Sequence, residues 1–295
     1  MFNFLKGAKD QIQITLDRAA GIYLPGETVH AAIHIAAAQE LKVRSGYAQL
    51  MQIESYYYDY QTTQTDSDGD TTTTTSSAWG KREIPFDRQA FLDETVLYGD
   101  QNTYHVACQL PESAFPTCRG GEITGLVWKL QVVLDRKLAG DVHGEAEVIV
   151  LCAPVAGGEA SRYGVSNQPH EAALALELPG LNFVTGKTIQ GRLHIEPGKD
   201  FGVSEVRLEL ERRENVSYEM GNQSTGVVAR LKLAGKTKLQ AGAGLALPFE
   251  LLIPDTCPPT ASMDRGTISW RLRGVLARTL RVDTIVEVNV SLYTG

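Results

Sequence analysis

The chain has 295 residues, of which 43% are hydrophobic and 21% charged, and its formal net charge is −7. This composition is typical of a globular protein, and no apolar run approaches the roughly 20 residues that a membrane-spanning helix needs. Lysine and arginine form no cluster along the sequence, which argues against binding driven by nucleic-acid phosphates. We therefore expect a protein partner, and peripheral association with a membrane stays open.

The N-terminus and the cysteines both bear on the compartment. The first seven residues carry one lysine and too few apolar residues for a secretory signal, so we expect a cytoplasmic protein. The four cysteines lack paired C-x-x-C spacing, and we expect free, buried thiols rather than a disulfide framework. They are Cys108, Cys118, Cys152 and Cys257.

Short runs of alternating apolar and polar residues recur along the chain, at 11–16, 29–35, 127–134, 203–210 and 284–292. A period of two predicts strands with one buried face and one wet face. No window keeps apolar residues at helical spacing, and Pro- and Gly-containing turns separate the runs. The sequence therefore predicts an all-β protein built of antiparallel, immunoglobulin-like β-sandwiches.

One region interrupts this pattern with unusual composition. Residues 56–60 read Tyr-Tyr-Tyr-Asp-Tyr, an acidic Asp-Ser-Asp-Gly-Asp turn follows at 66–70, and a threonine run leads to Trp79. Threonine and tyrosine favour strands, and Asp-Gly is a strong turn signal, so we predict a long β-hairpin over 56–80. A shorter hairpin is predicted at 215–225, with its turn at Gly221 and Asn222.

The second half of the chain repeats the first. Residues 21–35 align without a gap on 181–195, at a shift of 160 (181 − 21), and Gly26, Thr28 and His34 recur as Gly186, Thr188 and His194. The block from 128 to 141 aligns on 270–283 at a shift of 142 (270 − 128), with tryptophan first in each, so we expect Trp128 and Trp270 to pack between the two sheets of each sandwich. We predict two tandem copies of one sandwich, over 1–154 and 171–295, joined by a Gly-, Pro- and Ser-rich linker at 155–170.

These repeated segments carry a resemblance. Residues 23–29 read Tyr-Leu-Pro-Gly-Glu-Thr-Val after a predicted strand, then come an Ile-x-Ile strand and a strand beginning at Val43 and Arg44. Residues 259–273 place a Trp-bearing strand after a glycine. Together they resemble the two domains of the arrestin superfamily, whose tandem-sandwich architecture is shared by retromer cargo subunits and bacterial sporulation-control proteins.

The resemblance implies a non-catalytic adaptor or scaffold. Such proteins dock partners through loops at one end of the sandwiches and across the interdomain groove, and the 56–80 hairpin occupies the place of the loop that arrestins insert into a receptor. The buried charged cluster, the phosphate-sensing lysine pair and the sequestered tail of animal arrestins have no recognisable counterpart in this sequence. Phosphate-triggered release is therefore not expected.

The hairpin supplies the best candidate binding residues. Tyrosine and tryptophan offer large, stiff, amphipathic contact area of the kind found at binding hot spots. The candidates are Tyr56, Tyr57, Tyr58, Tyr60 and Trp79. The alternatives are a solvated surface excursion, aromatics that pack on their own sheet, and an edge that pairs with a second copy to form a homo-oligomer. Deleting residues 55–78 is expected to abolish partner capture and to leave thermal unfolding nearly unchanged.

Metal and cofactor signals are weak. Asp66, Asp68 and Asp70 resemble part of a calcium loop but lack the downstream bidentate glutamate, so a solvated turn is favoured. His30 and His34 are too far apart along a strand to chelate one metal unaided, and they are interpreted as residues of a polar face.

Enzyme activity has little support in the sequence. No nucleophile elbow, phosphate-binding loop, dinucleotide fingerprint or zinc-protease motif occurs, and no cofactor is expected. A carbohydrate- or ligand-binding sandwich is a third hypothesis, for which only the tyrosine cluster offers an aromatic platform.

Overall fold

The computed structural model describes residues 11–137, 139–152 and 160–294. These residues form twenty β-strands and no helix, which confirms the predicted all-β sandwich class. The first eight strands are β1 (Gln11–Leu16), β2 (Ile22–Tyr23), β3 (Thr28–Val43), β4 (Ser45–Thr65), β5 (Thr71–Leu92), β6 (Thr95–Gln109), β7 (Thr124–Asp135) and β8 (Val142–Val150). The others are β9 (Ser161–Tyr163), β10 (Ala172–Leu178), β11 (Asn182–Val184), β12 (Thr188–Pro197), β13 (Phe201–Val203), β14 (Glu205–Val216), β15 (Asn222–Ala234), β16 (Thr237–Leu239), β17 (Leu245–Leu252), β18 (Ala261–Ser262), β19 (Gly266–Ala277) and β20 (Thr284–Tyr293).

The chain divides into two compact units. The first comprises Met1–Glu54, Lys81–Thr117 and Leu126–Leu151, and the second comprises Ser55–Gly80, Cys118–Gly125 and Cys152–Gly295. The distal part of the β4–β5 hairpin and a short segment that leads into β7 thus belong to the second unit, although both lie in the first half of the sequence. The predicted linker at 155–170 falls partly on 153–159, outside the described residues, and the predicted domain limits stay a prediction.

The first unit is built on two sheets. One has the order β1-β3-β6 and the other β2-β8-β7-β4-β5. Strand alternation turns one face of each inward, so Ile33 of β3 and Leu130 of β7 are fully buried. Burial of such apolar side chains stabilises the unit by about 1.5–3 kcal/mol for each large residue.

The second unit repeats this plan. One sheet has the order β17-β12-β10-β9, and the other has the order β11-β20-β19-β14-β15, with β18 paired to β19. A short strand near the start of each copy pairs in parallel with the last strand of its own unit, β2 with β8 and β11 with β20. A two-stranded sheet of β13 and β16 completes the unit.

Matched hydrogen bonds support the duplication at single residues. Thr117 donates its backbone N–H to the Val150 carbonyl at 2.8 Å, and its hydroxyl oxygen accepts from the Val150 N–H at 2.9 Å. Thr260 makes the same two bonds with Leu292, at 2.8 and 2.9 Å. The sequence repeat therefore corresponds to a repeat of backbone geometry.

The two aligned tryptophans occupy equivalent interiors. Trp128 and Trp270 have no exposed surface. The indole N–H of Trp128 donates to the Phe115 carbonyl at 2.9 Å, and that of Trp270 donates to the Pro258 carbonyl at 3.2 Å. A buried indole needs such a partner, and the predicted packing role is confirmed.

Most predicted strands are found, with one correction. The runs at 11–16, 29–35, 127–134 and 284–292 lie in β1, β3, β7 and β20. The run at 203–210 is not one strand, because the chain leaves β13 at Val203 and enters β14 at Glu205. Ser204 makes the break, donating its N–H and its hydroxyl to the carbonyl of Ala277 at 2.8 and 3.1 Å.

The thiols behave largely as predicted. All four cysteines are free, and Cys108, Cys118 and Cys257 are buried, whereas Cys152 is half-buried. Burial raises the pKa of the Cys118 thiol to about 12. Such a thiol stays protonated and unreactive near neutral pH.

Candidate functional site

The predicted hairpin is confirmed, and it is longer than the sequence indicated. Its arms are β4 and β5, which run from Ser45 to Thr65 and from Thr71 to Leu92. Alternate residues of an arm face opposite sides, so Tyr56, Tyr58 and Tyr60 share one face and Tyr57 lies on the other. The five candidate aromatic residues therefore divide into two groups.

The first group forms a packed cluster, which we call the aromatic anchor: Tyr56, Tyr58, Tyr218, Ile123 and Val216. Tyr56 is only 7% exposed. The Tyr218 ring lies 5.2 Å from that of Tyr56 and 4.8 Å from that of Tyr58, with edge-on geometry in both pairs. Edge-to-face pairs at these distances contribute about 0.5–1.5 kcal/mol each beyond the area that they bury.

A glycine makes room for the anchor. A Cβ placed on Gly80 of β5 would lie 2.3 Å from the Tyr56 ring, closer than any van der Waals contact allows. The ring thus occupies the space that a side chain at position 80 would need. Burial among the rings also raises the pKa of the Tyr58 hydroxyl above its usual value.

Backbone hydrogen bonds hold β4 to the rest of the second unit. Tyr57 donates its N–H to the Ile123 carbonyl at 2.8 Å. Asp59 and the turn after β14 exchange two bonds, from Asp59 to the Gly221 carbonyl and from Met220 to the Asp59 carbonyl, both at 3.2 Å. The root of the hairpin is therefore fixed by main-chain bonds as well as by ring packing.

A buried carboxylate holds the segment that contains Ile123 of the anchor. Glu214 on β14 has a fully buried side chain, and it accepts hydrogen bonds from the N–H groups of Glu122, Ile123 and Thr124 at 2.7, 2.8 and 3.0 Å. The Nε of Arg212 lies 2.7 Å from the same carboxylate and neutralises it. Three amides and one guanidinium satisfy the buried charge, which would otherwise be costly.

The second group lies on the opposite face of the hairpin, although the half-buried Tyr57 also packs against the core of the anchor. Tyr57 pairs with Trp79 of β5 at a ring distance of 5.5 Å, and Trp79 is 57% exposed. We call these two residues the exposed pair. Tyr60, which is half-buried, continues the anchor's face at 5.9 Å from Tyr58. Of the five candidates, Tyr56 serves packing, and Trp79 of the exposed pair supplies the most accessible aromatic surface.

Beyond the aromatic rings, both arms of the hairpin are exposed to solvent. Residues 61–75 are all exposed, and the arms are tied by the Asp59 carboxylate, which accepts from the Ser77 hydroxyl at 2.5 Å. Since the anchor is buried, deleting 55–78 would remove part of a core cluster. The expectation that such a deletion leaves unfolding unchanged is therefore wrong, and a trim must stay within 61–75.

The acidic turn at the tip is held by its own first residue. The Asp66 carboxylate accepts from the N–H groups of Asp68 and Asp70 at 3.0 and 2.9 Å, and Gly69 adopts a positive φ of 88°. These bonds use Asp66 for the turn itself. Among the described residues, no three His, Cys, Asp or Glu side chains are placed to hold a metal ion together. The solvated turn stays the favoured interpretation of Asp66, Asp68 and Asp70, and the calcium alternative stays a prediction.

The histidines also have structural roles. His30 and His34 lie on the face of β3 opposite the buried Val29 and Ile33, as predicted, and His34 Nδ1 lies 3.0 Å from the Thr103 hydroxyl. The Nε2 of His194, the counterpart of His34, lies 2.5 Å from a carboxylate oxygen of Glu177. This hydrogen bond lowers the pKa of Glu177.

Sequence reasoning missed the residues that hold the hairpin. Tyr218 was within the predicted shorter hairpin, which the structure confirms between β14 and β15, but no local signal marked its contact with Tyr56. Glu214 could have been suspected, because the repeat aligns it with Glu54 (214 − 160), which is also buried. Gly80 lies in a strand interior, where a glycine often marks a close approach.

Comparison with known proteins gives one match. Residues 171–291, from just before β10 into β20, match the family model described as SpoOM protein. This region is less than half of the chain. No curated protein matches the chain. Among the described residues, no helix is long and apolar enough to cross a membrane. The sporulation-control part of the resemblance is thus supported over the second copy, and the wider arrestin likeness stays a prediction.

Proposed function

We propose that this protein is a non-catalytic, arrestin-like adaptor that binds a protein partner through the β4–β5 hairpin. The observation that carries the proposal is the exposed pair, in which Trp79 keeps 57% of its surface in contact with water while packing against Tyr57. A large aromatic residue gains little by lying exposed on a free protein. It gains contact area when a partner covers it.

The packing of the anchor supports a binding role for the exposed pair. Tyr56 and Tyr58 are held by Tyr218, and Glu214 holds the segment beneath them. The exposed pair is thus presented from a fixed base, and little conformational entropy is lost when a partner packs on it. The groove between the predicted domains, named with the hairpin from the resemblance, stays a prediction.

The match to the SpoOM protein family supports a regulatory role. The second copy matches the SpoOM protein family, and the sequence motifs resemble sporulation-control proteins. Both favour a regulatory protein that acts by association. The absence of catalytic motifs from the sequence points the same way.

Site-specific crosslinking tests the proposal. A photo-reactive phenylalanine analogue placed at Trp79 is expected to crosslink one discrete protein in native lysate. The same analogue at Tyr98, which is 64% exposed on the first unit, serves as the matched control. Crosslinks of equal yield and identity from both positions would refute a specific role for the hairpin.

Self-assembly is the second candidate function, and one observation favours it. β5 is the edge strand of its sheet, and its exposed Thr71–Thr75 stretch leaves backbone groups available to another strand. Light scattering distinguishes the two functions. A monomer at micromolar concentration excludes self-assembly, whereas a dimer that a trim of 61–75 abolishes would replace the adaptor proposal.

A further inference from the structure

A basic pocket lies in the second unit, and none of its lining residues belongs to the hairpin. It has a volume of about 580 Å³ and lies among β13, β16 and the loop that joins β19 to β20. Its lining includes Lys236, Lys238, Arg278 and Arg281, and no acidic side chain of the described residues. In a chain with a net charge of −7, this is a local reversal of sign.

One of the four cations is already engaged. Arg278 forms an ion pair with the buried Glu171, and its guanidinium lies 4.9 Å from the centre of the Phe201 ring. Lys199 also pairs with Glu171, at 2.8 Å. These contacts hold the Arg278 side chain in place on one side of the pocket.

The other three cations have no such partner. Lys236, Lys238 and Arg281 are exposed, and within the described part of the chain none of them forms an ion pair. Three like charges around one cavity repel one another. An anion bound between them removes that repulsion, which is a direct electrostatic reason for binding.

The first unit has a pocket at the equivalent place. Val43 pairs with Thr95 there, and Val203 pairs with Thr237 in the second unit, in the same register. Both pairs line their pockets, and that of the first unit has a volume of about 390 Å³. The two pockets are therefore copies of one feature, and their linings can be compared position by position.

The second pocket is the more positive of the two, since four bases and no acid of the described residues line it, whereas Lys42, Arg44, Lys137 and Glu94 line the first. In the first pocket Lys42 pairs with Glu40 at 3.1 Å, and Arg44 pairs with Asp135. Glu94 also lines that pocket. The position that aligns with Glu94 at the shift of 142 is Lys236 in the second copy (236 − 94), so the second copy has a base where the first has an acid.

We propose that the pocket of the second unit binds a phosphate-bearing anion. A phosphate group concentrates up to two charges and three acceptor oxygens in one place, which suits three converging cations, and the planar guanidinium of Arg281 can contact two oxygens at once. A compact pocket favours such a group over an extended acidic chain. The proposal does not depend on the hairpin.

Calorimetric titration of the full chain with tripolyphosphate tests the binding. We expect saturable binding that weakens with added salt, as for exposed charges. The double variant Lys236→Glu/Lys238→Glu, which gives position 236 the acid of the first copy, should bind at least about tenfold more weakly, since it removes two charge-assisted bonds and puts two like charges beside the anion. Lys236→Met/Lys238→Met gives the same readout if the glutamate variant does not fold.

The control is Lys187→Glu, which reverses the charge of one exposed lysine outside the pocket and should bind like the wild type. Equal loss with this control, no loss with the pocket variants, or citrate binding as tightly as tripolyphosphate would each overturn the proposal.

A second experiment identifies the source of the phosphate. Arg281 lies between Leu280, which is 99% exposed, and Val282, which is 70% exposed, so lipid contact is physically reasonable. Vesicles of phosphatidylcholine with phosphatidylglycerol should sediment the protein, and tripolyphosphate should release it, if the ligand is a lipid headgroup. Tripolyphosphate binding without sedimentation assigns a soluble phosphate ester. Failure of both probes to bind overturns the proposal.

Discussion

The ring of Tyr56 occupies the space that a side chain on Gly80 would fill, since a Cβ there would lie 2.3 Å from it. This contact places the two arms of the hairpin against each other at the level of the anchor. On the opposite face, the same arms bring Tyr57 and Trp79 together. The position of the exposed pair therefore depends on Gly80, which lies next to Trp79 in β5.

Gly80→Ala should loosen the anchor. The added methyl displaces the buried Tyr56 ring, and overpacking of this kind costs about 1–3 kcal/mol. Denaturant unfolding measures the loss. Gly226→Ala on β15 is the matched control, because no atom lies within 4 Å of a Cβ there, and it should be neutral or slightly stabilising. Equal effects of the two substitutions would contradict the packing described for Tyr56.

Glu214→Gln should destabilise the second unit. The carboxylate accepts from three backbone amides and pairs with Arg212, and a glutamine replaces one acceptor oxygen with a donor. Removing one partner of a buried ion pair costs about 3–5 kcal/mol. Hydrogen exchange at the amides of residues 122–124 should become faster. The exposed Glu250→Gln is the control, and unchanged exchange in the Glu214 variant would show that the carboxylate does not hold this segment.

Trp128→Phe and Trp270→Phe should have similar effects. Each leaves a backbone carbonyl without its indole donor, which costs about 1–3 kcal/mol, and each adds a cavity. Chemical denaturation followed by circular dichroism gives both values. A marked loss in one variant and none in the other would be at odds with the equivalence of the two copies.

Glu171 should make stability depend on acid pH. Its hydrogen bonds to Lys199 and Arg278 lower its pKa from 4.5 to about 2. Because the folded-state pKa is the lower one, the stabilisation is complete above the unfolded-state pKa of 4.5 and is lost as the pH falls toward about 2. The wild type should unfold at a higher temperature than Glu171→Gln at neutral pH, and the difference should shrink across this window. A difference that stays constant with pH would rule out the linkage.

The fold was largely predictable because its signals are local and repeated. Period-two alternation marked β1, β3, β7 and β20, and the Asp-Gly step with its flanking threonines marked the hairpin. The alignment of Trp128 with Trp270 predicted their equivalent interiors. Ser204, by contrast, breaks a run that alternates without interruption, and only its bonds to the Ala277 carbonyl explain the break.

The sequence predicted which aromatic residues form the site, and it did not predict which of their rings are buried. The tyrosine cluster was identified, yet which ring is buried depends on Tyr218, about 160 residues away in the sequence. The basic pocket was missed for a similar reason. Its cations come from two separate segments, around Lys236 and around Arg281, and neither segment is a basic run.

The binding role of the exposed pair is the central claim, and affinity for the protein that crosslinks at Trp79 tests it most directly. Calorimetry with that purified protein should show at least about a thirtyfold loss for Tyr57→Ala/Trp79→Ala, because aromatic hot spots contribute about 2 kcal/mol or more. Tyr98→Ala, which removes an exposed aromatic ring from the first unit, should bind like the wild type. Unchanged affinity of the double variant, with its fold intact, would contradict the account.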